Sequence, residues 1–191
     1  MTAISLERFA TSRAAGAIAA LWGFAEATLF FIVPDVFLTF LAIASLRSAA
    51  RATAWAVAGA LLGGYVSFAV ASSSPAVARE TLVRIPGIDE RLIEEVRSQI
   101  AQTGAGAVFI GPTKGIPYKV YAVEWAAEQR PVTAFLLISI PARAIRFLLT
   151  SALAAGLAYA LRRSTPAPLS VAIAIHGALW TAFYAAYFWF M

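Results

Sequence analysis

Two long stretches without a charged residue constrain the fold of this 191-residue chain more than any other feature. Residues 52–78 and 164–191 contain no Asp, Glu, Lys or Arg, and each is longer than the roughly 20 residues that a membrane-spanning helix needs. Charged residues make up only 13% of the chain, about half of their share in a soluble domain. The sequence therefore predicts an all-α polytopic membrane protein with one membrane domain over residues 1–191 and spanning helices at 52–72, 131–161 and 168–190.

Two further apolar stretches, residues 14–46 and 104–127, are interrupted by charges and prolines. The interrupting residues are Glu26, Pro34, Asp35, Pro112, Lys114, Pro117, Lys119 and Glu124. Proline breaks a helix, and a charge at the bilayer centre costs about 2.5–3.5 kcal/mol on insertion scales. Broken backbone is tolerated at membrane depth where it lines a cavity. We therefore expect each stretch to form a re-entrant helical hairpin with a polar turn.

The distribution of arginines predicts the topology. If residues 14–46 enter and leave the bilayer on one side, the arginines that flank this stretch lie together on the cytoplasmic side with those that end residues 131–161, as the positive-inside rule requires. These are Arg8, Arg13, Arg47, Arg51, Arg162 and Arg163. The N-terminus is then cytoplasmic and the C-terminus outside. The second hairpin enters from outside, so the layout is an inverted repeat, as in many secondary transporters, with a binding site where the broken elements meet.

Between the two halves, residues 79–103 carry four arginines and five acids. Apolar side chains recur on one face of this segment and charged ones on the other, a pattern typical of an amphipathic helix. We interpret it as an outer amphipathic connector rather than a lid.

Three acidic residues are candidates for proton coupling. Glu26, Asp35 and Glu124 lie in the interrupted stretches, and ionisable residues inside a membrane usually have a function. Asp35 follows a proline, so capping of the returning helix is an equally good role for it. Glu124 is expected to pair with Lys119 or Arg143, because an ion pair lowers the cost of burying it.

Four cations are candidates for binding a phosphate group. Lys114 and Lys119 flank the segment GIPY on broken backbone, where helix N-termini also favour an anion; the alternative is that both extend to the interface. Arg143 and Arg146 are three residues apart and share a helix face. We expect the two arginines to pair with Glu26, Asp35 or Glu124.

Several functional classes are disfavoured. The chain has no cysteine, which excludes disulfides and thiolate metal sites, and it lacks the common hydrolase, metalloprotease and phosphate-loop motifs. We therefore expect no enzyme activity, no cofactor, no bound metal and no nucleic-acid partner. His176 stands alone and is expected to be a packed, hydrogen-bonded side chain. The spacing of Gly59, Gly63 and Gly64 predicts close helix packing.

The arrangement resembles the DedA/VTT-domain superfamily, also called SNARE-associated, in a divergent branch. The resemblance extends over about residues 21–161. It depends on Glu26, on Pro34-Asp35, on residues 59–65 (GALLGGY) and on residues 109–119 (FIGPTKGIPYK). Lys114 and Pro117 match an arginine and a proline of the family pattern, while Lys119 stands one position before its second arginine.

The resemblance implies a protein of the bacterial inner membrane that translocates a phosphate-bearing lipid, either a polyprenyl phosphate or a phospholipid, with coupling to protons. Its partners would be lipids with anionic head groups, and a homo-oligomer is compatible with it. Because lysine lacks the two-pronged phosphate contact of arginine, the lipid class stays open between these two. A small-cation or proton antiporter and a non-transporting membrane scaffold are the alternative functions.

Overall fold

The computed structural model describes residues 3–165 and 168–189, which form ten α-helices and one 3-10 helix without any strand. The elements are α1 (Ala3–Ala10), α2 (Arg13–Thr28), α3 (Asp35–Ala44), α4 (Leu46–Ser73), α5 (Pro75–Val83), α6 (Glu90–Thr103), α7 (Ala105–Ile110), the 3-10 helix (Gly111–Lys114), α8 (Tyr118–Ala127), α9 (Val132–Ser164) and α10 (Leu169–Trp189). The all-helical class predicted from the sequence is confirmed for these residues.

Three helices, α4, α9 and α10, are long and apolar enough to cross a membrane. The three predicted spans are thus found as continuous helices. Ser45 caps the start of α4 by accepting a hydrogen bond from the Ser48 amide. Helix α4 ends at Ser73, and only Ser74 separates it from Pro75, the first residue of α5. Pro141 lies inside α9 without ending it.

Helix α2 packs along α4, and the two helices run in the same direction. Gly16 lies against Trp55, Gly59 against Ala20, and Gly63 against Phe24, so contacts advance together along both helices. A single residue separates α3 from α4, so α3 must run back toward the end where α2 began. The chain therefore goes out in α2, returns in α3 and goes out again in α4.

The glycines make this packing possible. A Cβ on Gly59 would lie 1.9 Å from the carbonyl oxygen of Ala20, and one on Gly23 would lie 2.2 Å from the carbonyl oxygen of Ala56. Such distances exclude any side chain, so the two backbones are in direct contact. The close packing predicted from the glycine spacing is confirmed.

The second interrupted stretch also returns to its starting point. Arg130, just after this stretch, lies close to its beginning. A Cβ built on Gly104, which precedes α7, would lie 3.4 Å from Arg130 Nη1, and Arg130 Nη2 donates a hydrogen bond to the carbonyl oxygen of Ile100 at 3.2 Å. Helix α6 covers this stretch with Ile93, Val96 and Ile100 buried. Its Gln99 accepts a hydrogen bond from the Tyr121 hydroxyl at 2.6 Å.

Candidate functional site

The two interrupted stretches meet at Lys119. Its ammonium donates a 2.9 Å hydrogen bond to the carbonyl oxygen of Phe30, two residues beyond the end of α2. This carbonyl lies just past the C-terminus of α2, where the negative end of the helix dipole favours a cation. Lys119 lies in the first turn of α8 and is 1% exposed, so it connects the second break to the first.

Helix α9 supplies two arginines to the first interrupted stretch. Arg143 forms a buried ion pair with Glu26, and Arg146 pairs with Asp35 at 2.8 Å. The expected pairing of these arginines with Glu26 and Asp35 is confirmed. Thr150, one turn further along α9, donates to the other oxygen of Asp35 at 2.9 Å. Asp35 has no capping bond at the start of α3, so its carboxylate binds α9 instead.

Arg143 is completely buried and lies between two aromatic rings. Its guanidinium carbon is 4.7 Å from the centroid of Tyr118 and 4.8 Å from that of Phe147, a geometry typical of cation–π contacts. Its Nε and Nη1 atoms have no hydrogen-bond partner among the described residues. The charge of Arg143 is therefore balanced by Glu26 and by the two ring faces.

A cavity of about 650 Å³ opens beside this cluster. Its polar wall is formed by Glu26, Lys119, Arg146 and Thr150, and most of its remaining lining is aliphatic or aromatic. The apolar lining includes Phe31, Ile116, Leu153, Leu157, Ile175, Leu179, Phe183 and Tyr184. A cavity with charge at one wall and hydrocarbon around the rest suits an amphiphile better than a small polar solute.

The charged cluster at this wall is not neutral. Three cations, Lys119, Arg143 and Arg146, stand beside two carboxylates, Glu26 and Asp35. Lys119 hydrogen-bonds to a carbonyl rather than to an acid, so one positive charge is in excess within the described part of the chain when all five groups are ionised. A buried charge without a counterion is costly, and an anionic ligand would remove that cost.

Two predicted site residues lie elsewhere. Lys114 is exposed at the end of the 3-10 helix and does not line the cavity. Glu124 pairs with Arg79 through hydrogen bonds of 2.7 and 2.6 Å, not with Lys119 or Arg143 as expected. That expectation was wrong because α8 brings Glu124 beside α5. The hydrogen bonds that Arg79 donates to Glu124 raise the pKa of Arg79 above its ordinary value.

A group of hydrogen bonds that was not predicted from the sequence attaches α10 to α3 and to the segment before it. Thr39 contacts His176 Nε2 at 2.8 Å and accepts from Trp180 Nε1 at 3.2 Å, and the Tyr184 hydroxyl accepts from the Val33 amide at 2.9 Å. His176 is hydrogen-bonded, as expected. In the sequence, the only sign that Thr39 lines the cavity is its position one helical turn after Asp35, which places both residues on the same face of α3.

Comparison with known proteins identifies a relative but no family. A protein of Haemophilus influenzae described as an uncharacterized protein is 29% identical over 132 residues, which cover 69% of this chain and 68% of that protein. No protein-family model matches the chain. No solved structure matches it either.

Proposed function

We propose that this protein is a transporter that moves a lipid with a phosphate-bearing head group across the membrane. The observation that carries the proposal is a charged cluster with one positive charge in excess, of which Lys119, Arg146 and Glu26 line a mostly apolar cavity. Arg143 and Asp35 complete the cluster behind that wall, as the ion-pair partners of Glu26 and Arg146. An anionic head group would neutralise this charge, and the apolar lining would accommodate hydrocarbon. A polyprenyl phosphate and an anionic phospholipid share this chemistry.

The proposal includes the membrane arrangement. We take residues 14–46 and 104–127 as oppositely oriented re-entrant hairpins of an inverted repeat in the bacterial inner membrane, with the N-terminus in the cytoplasm. Support comes from the return of each stretch to its starting end and from the contact between Lys119 and Phe30. Within this arrangement the chain is a divergent relative of the DedA/VTT superfamily.

Proton coupling follows from competition for the two arginines. A phosphate group and a carboxylate bind the same guanidinium groups. Protonation of Glu26 or Asp35 would weaken its pair with Arg143 or Arg146 and free that arginine for the head group. Deprotonation would restore the pair and release the lipid, so proton movement and lipid movement would be linked through these two acids.

The test is lipid flipping in proteoliposomes. Purified protein is reconstituted, and inward movement of fluorescent phosphatidylglycerol, phosphatidylcholine and a short-chain polyprenyl phosphate is measured by quenching of the outer leaflet. We expect faster flipping of at least one anionic lipid than in protein-free vesicles. Lys119→Gln should slow it roughly 10- to 100-fold, because a hydrogen bond to a charged group contributes about 1.5–3 kcal/mol and about 1.4 kcal/mol corresponds to a factor of ten.

Lys114→Gln is the matched control, because the same change is made at an exposed lysine outside the cavity. It should flip lipid at the wild-type rate. The proposal fails if wild-type vesicles flip no anionic lipid, or if Lys119→Gln and Lys114→Gln behave alike.

A further inference from the structure

Helix α10 is attached to the rest of the protein in an unusual way. It has a single buried residue, Ala172. Among the described residues, the hydrogen bonds of its side chains to other elements reach back to α3 and the segment before it, through His176, Trp180 and Tyr184. Its buried contact with α9 among the described residues joins Ala172 to Ala158, near the end of α9. Helix α10 is therefore fixed to α3 while it meets α9 at one end only.

Between that contact and the charged cluster, α9 and α10 stand apart and the cavity fills the space between them. The α9 side is lined by Leu153, Ala154 and Leu157, and the α10 side by Ile175, Leu179 and Phe183. We call this part of the cavity the α9–α10 cleft. Leu153, Leu157 and Leu179 are 64%, 60% and 62% exposed, so the cleft is open on its outer side.

The cleft is continuous with the charged wall. Arg146 and Thr150 line the same cavity and precede Leu153 and Leu157 on the same face of α9. From Arg146 to Ala158 the helix rises roughly 18 Å. The cleft is therefore long enough to hold most of an extended acyl chain.

We propose that the α9–α10 cleft binds the hydrocarbon chain of a lipid whose anionic head group lies against Lys119 and Arg146. This inference rests on the proposed function and adds the place of the chain and the route of entry. Both walls of the cleft belong to helices that can span a membrane, so its open side faces hydrocarbon and not water. A lipid enters sideways between α9 and α10, with its head group reaching the positive charge and its chain staying in the cleft.

The experiment uses phosphatidylglycerol with a photoreactive diazirine near the end of one acyl chain, added to the reconstituted protein. Cross-linked residues are identified by mass spectrometry. We expect cross-links at Leu157 and Leu179 that unlabelled phosphatidylglycerol removes by competition and unlabelled phosphatidylcholine does not. Leu148 is an exposed residue of α9 outside the cavity. The yield of cross-links at Leu148 should not fall with either competitor, because the lipid in contact with it is the exchanging lipid that surrounds the protein.

A pair of substitutions gives an independent measurement. Leu157→Trp narrows the cleft and should reduce the competed cross-link at Leu179 several-fold, whereas Leu148→Trp makes the same change on the other face and should leave it unaltered. Equal competition by both lipids at the cleft, or equal cross-linking in the two variants, would overturn the proposal. Because binding is measured without transport, a protein that binds lipid in the cleft but flips none would disprove the proposed function alone.

Discussion

At the residue scale, the Glu26–Arg143 pair is the interaction whose two charges are most completely buried. Both side chains are buried, and the guanidinium lies between two rings with two of its nitrogen atoms unpartnered in the described residues. Breaking a buried pair on one side commonly costs 3–5 kcal/mol, whereas replacing both partners by apolar groups of similar size is often neutral. The pair therefore matters for stability chiefly because each charge needs the other.

A double-mutant cycle follows from this. Glu26→Gln should lower the melting temperature in detergent, because it leaves Arg143 buried without a counterion. Adding Arg143→Met should recover most of the loss, since Met fills similar space between the Tyr118 and Phe147 rings without a charge. Thermal unfolding followed by tryptophan fluorescence measures both. A double variant less stable than the single one would show that the charge of Arg143 has a further partner.

The sequence could predict the arginine pairs because few acids lie at membrane depth and the two arginines share a face of α9. It could not predict the partner of Glu124. Arg79 lies in a segment whose charges look balanced among themselves, and only the packing of α8 beside α5 selects it. Lys119 and Lys114 likewise look equivalent in sequence, and their burial separates them.

Among the helices, α2 and α4 pack most closely, because their backbones are in contact at Gly23, Gly59 and Gly63. The spacing of small residues predicted this contact, but it did not predict which helix would be the partner. The loose attachment of α10 had no sequence signal at all. Its composition is that of a spanning helix, and the polar contacts that hold it come from α3, more than 130 residues away.

A single methyl group tests the α2–α4 contact. Gly59→Ala should lower stability by about 1–3 kcal/mol, as overpacking does, because its Cβ would lie 1.9 Å from the Ala20 carbonyl oxygen. Gly156→Ala in α9 is the matched control, since a Cβ there meets nothing within 4 Å, and alanine favours a helix. Melting temperatures in one detergent should fall for the first variant and hold or rise for the second.

At the scale of the whole molecule, the arginines at the start of α2, at the start of α4 and at the end of α9 gather at one end. The start of α2 and the start of α4 form one surface that includes Arg13 and Arg51, and the last turn of α9, with Arg162 and Arg163, lies near the end of α3 through Ala158 and Ile43. The positive-inside rule predicts this grouping only if residues 14–46 return to the side they entered. This grouping of arginines therefore supports the proposed hairpin of residues 14–46. A labelling experiment can test, in a membrane, whether these arginines lie on one side.

The chain lacks cysteine, so single cysteines can be introduced without removing native thiols. We expect Arg8→Cys, Arg47→Cys and Arg163→Cys to react with a membrane-impermeant maleimide only in inverted vesicles, because all three positions would face the cytoplasm. Gln102→Cys, at the end of α6, should react only in right-side-out spheroplasts. All four positions are exposed, so a difference in labelling reports the side of the membrane and not burial. If residues 14–46 instead crossed the bilayer once, Arg8→Cys and Arg47→Cys would react from opposite sides, and the inverted repeat would be wrong.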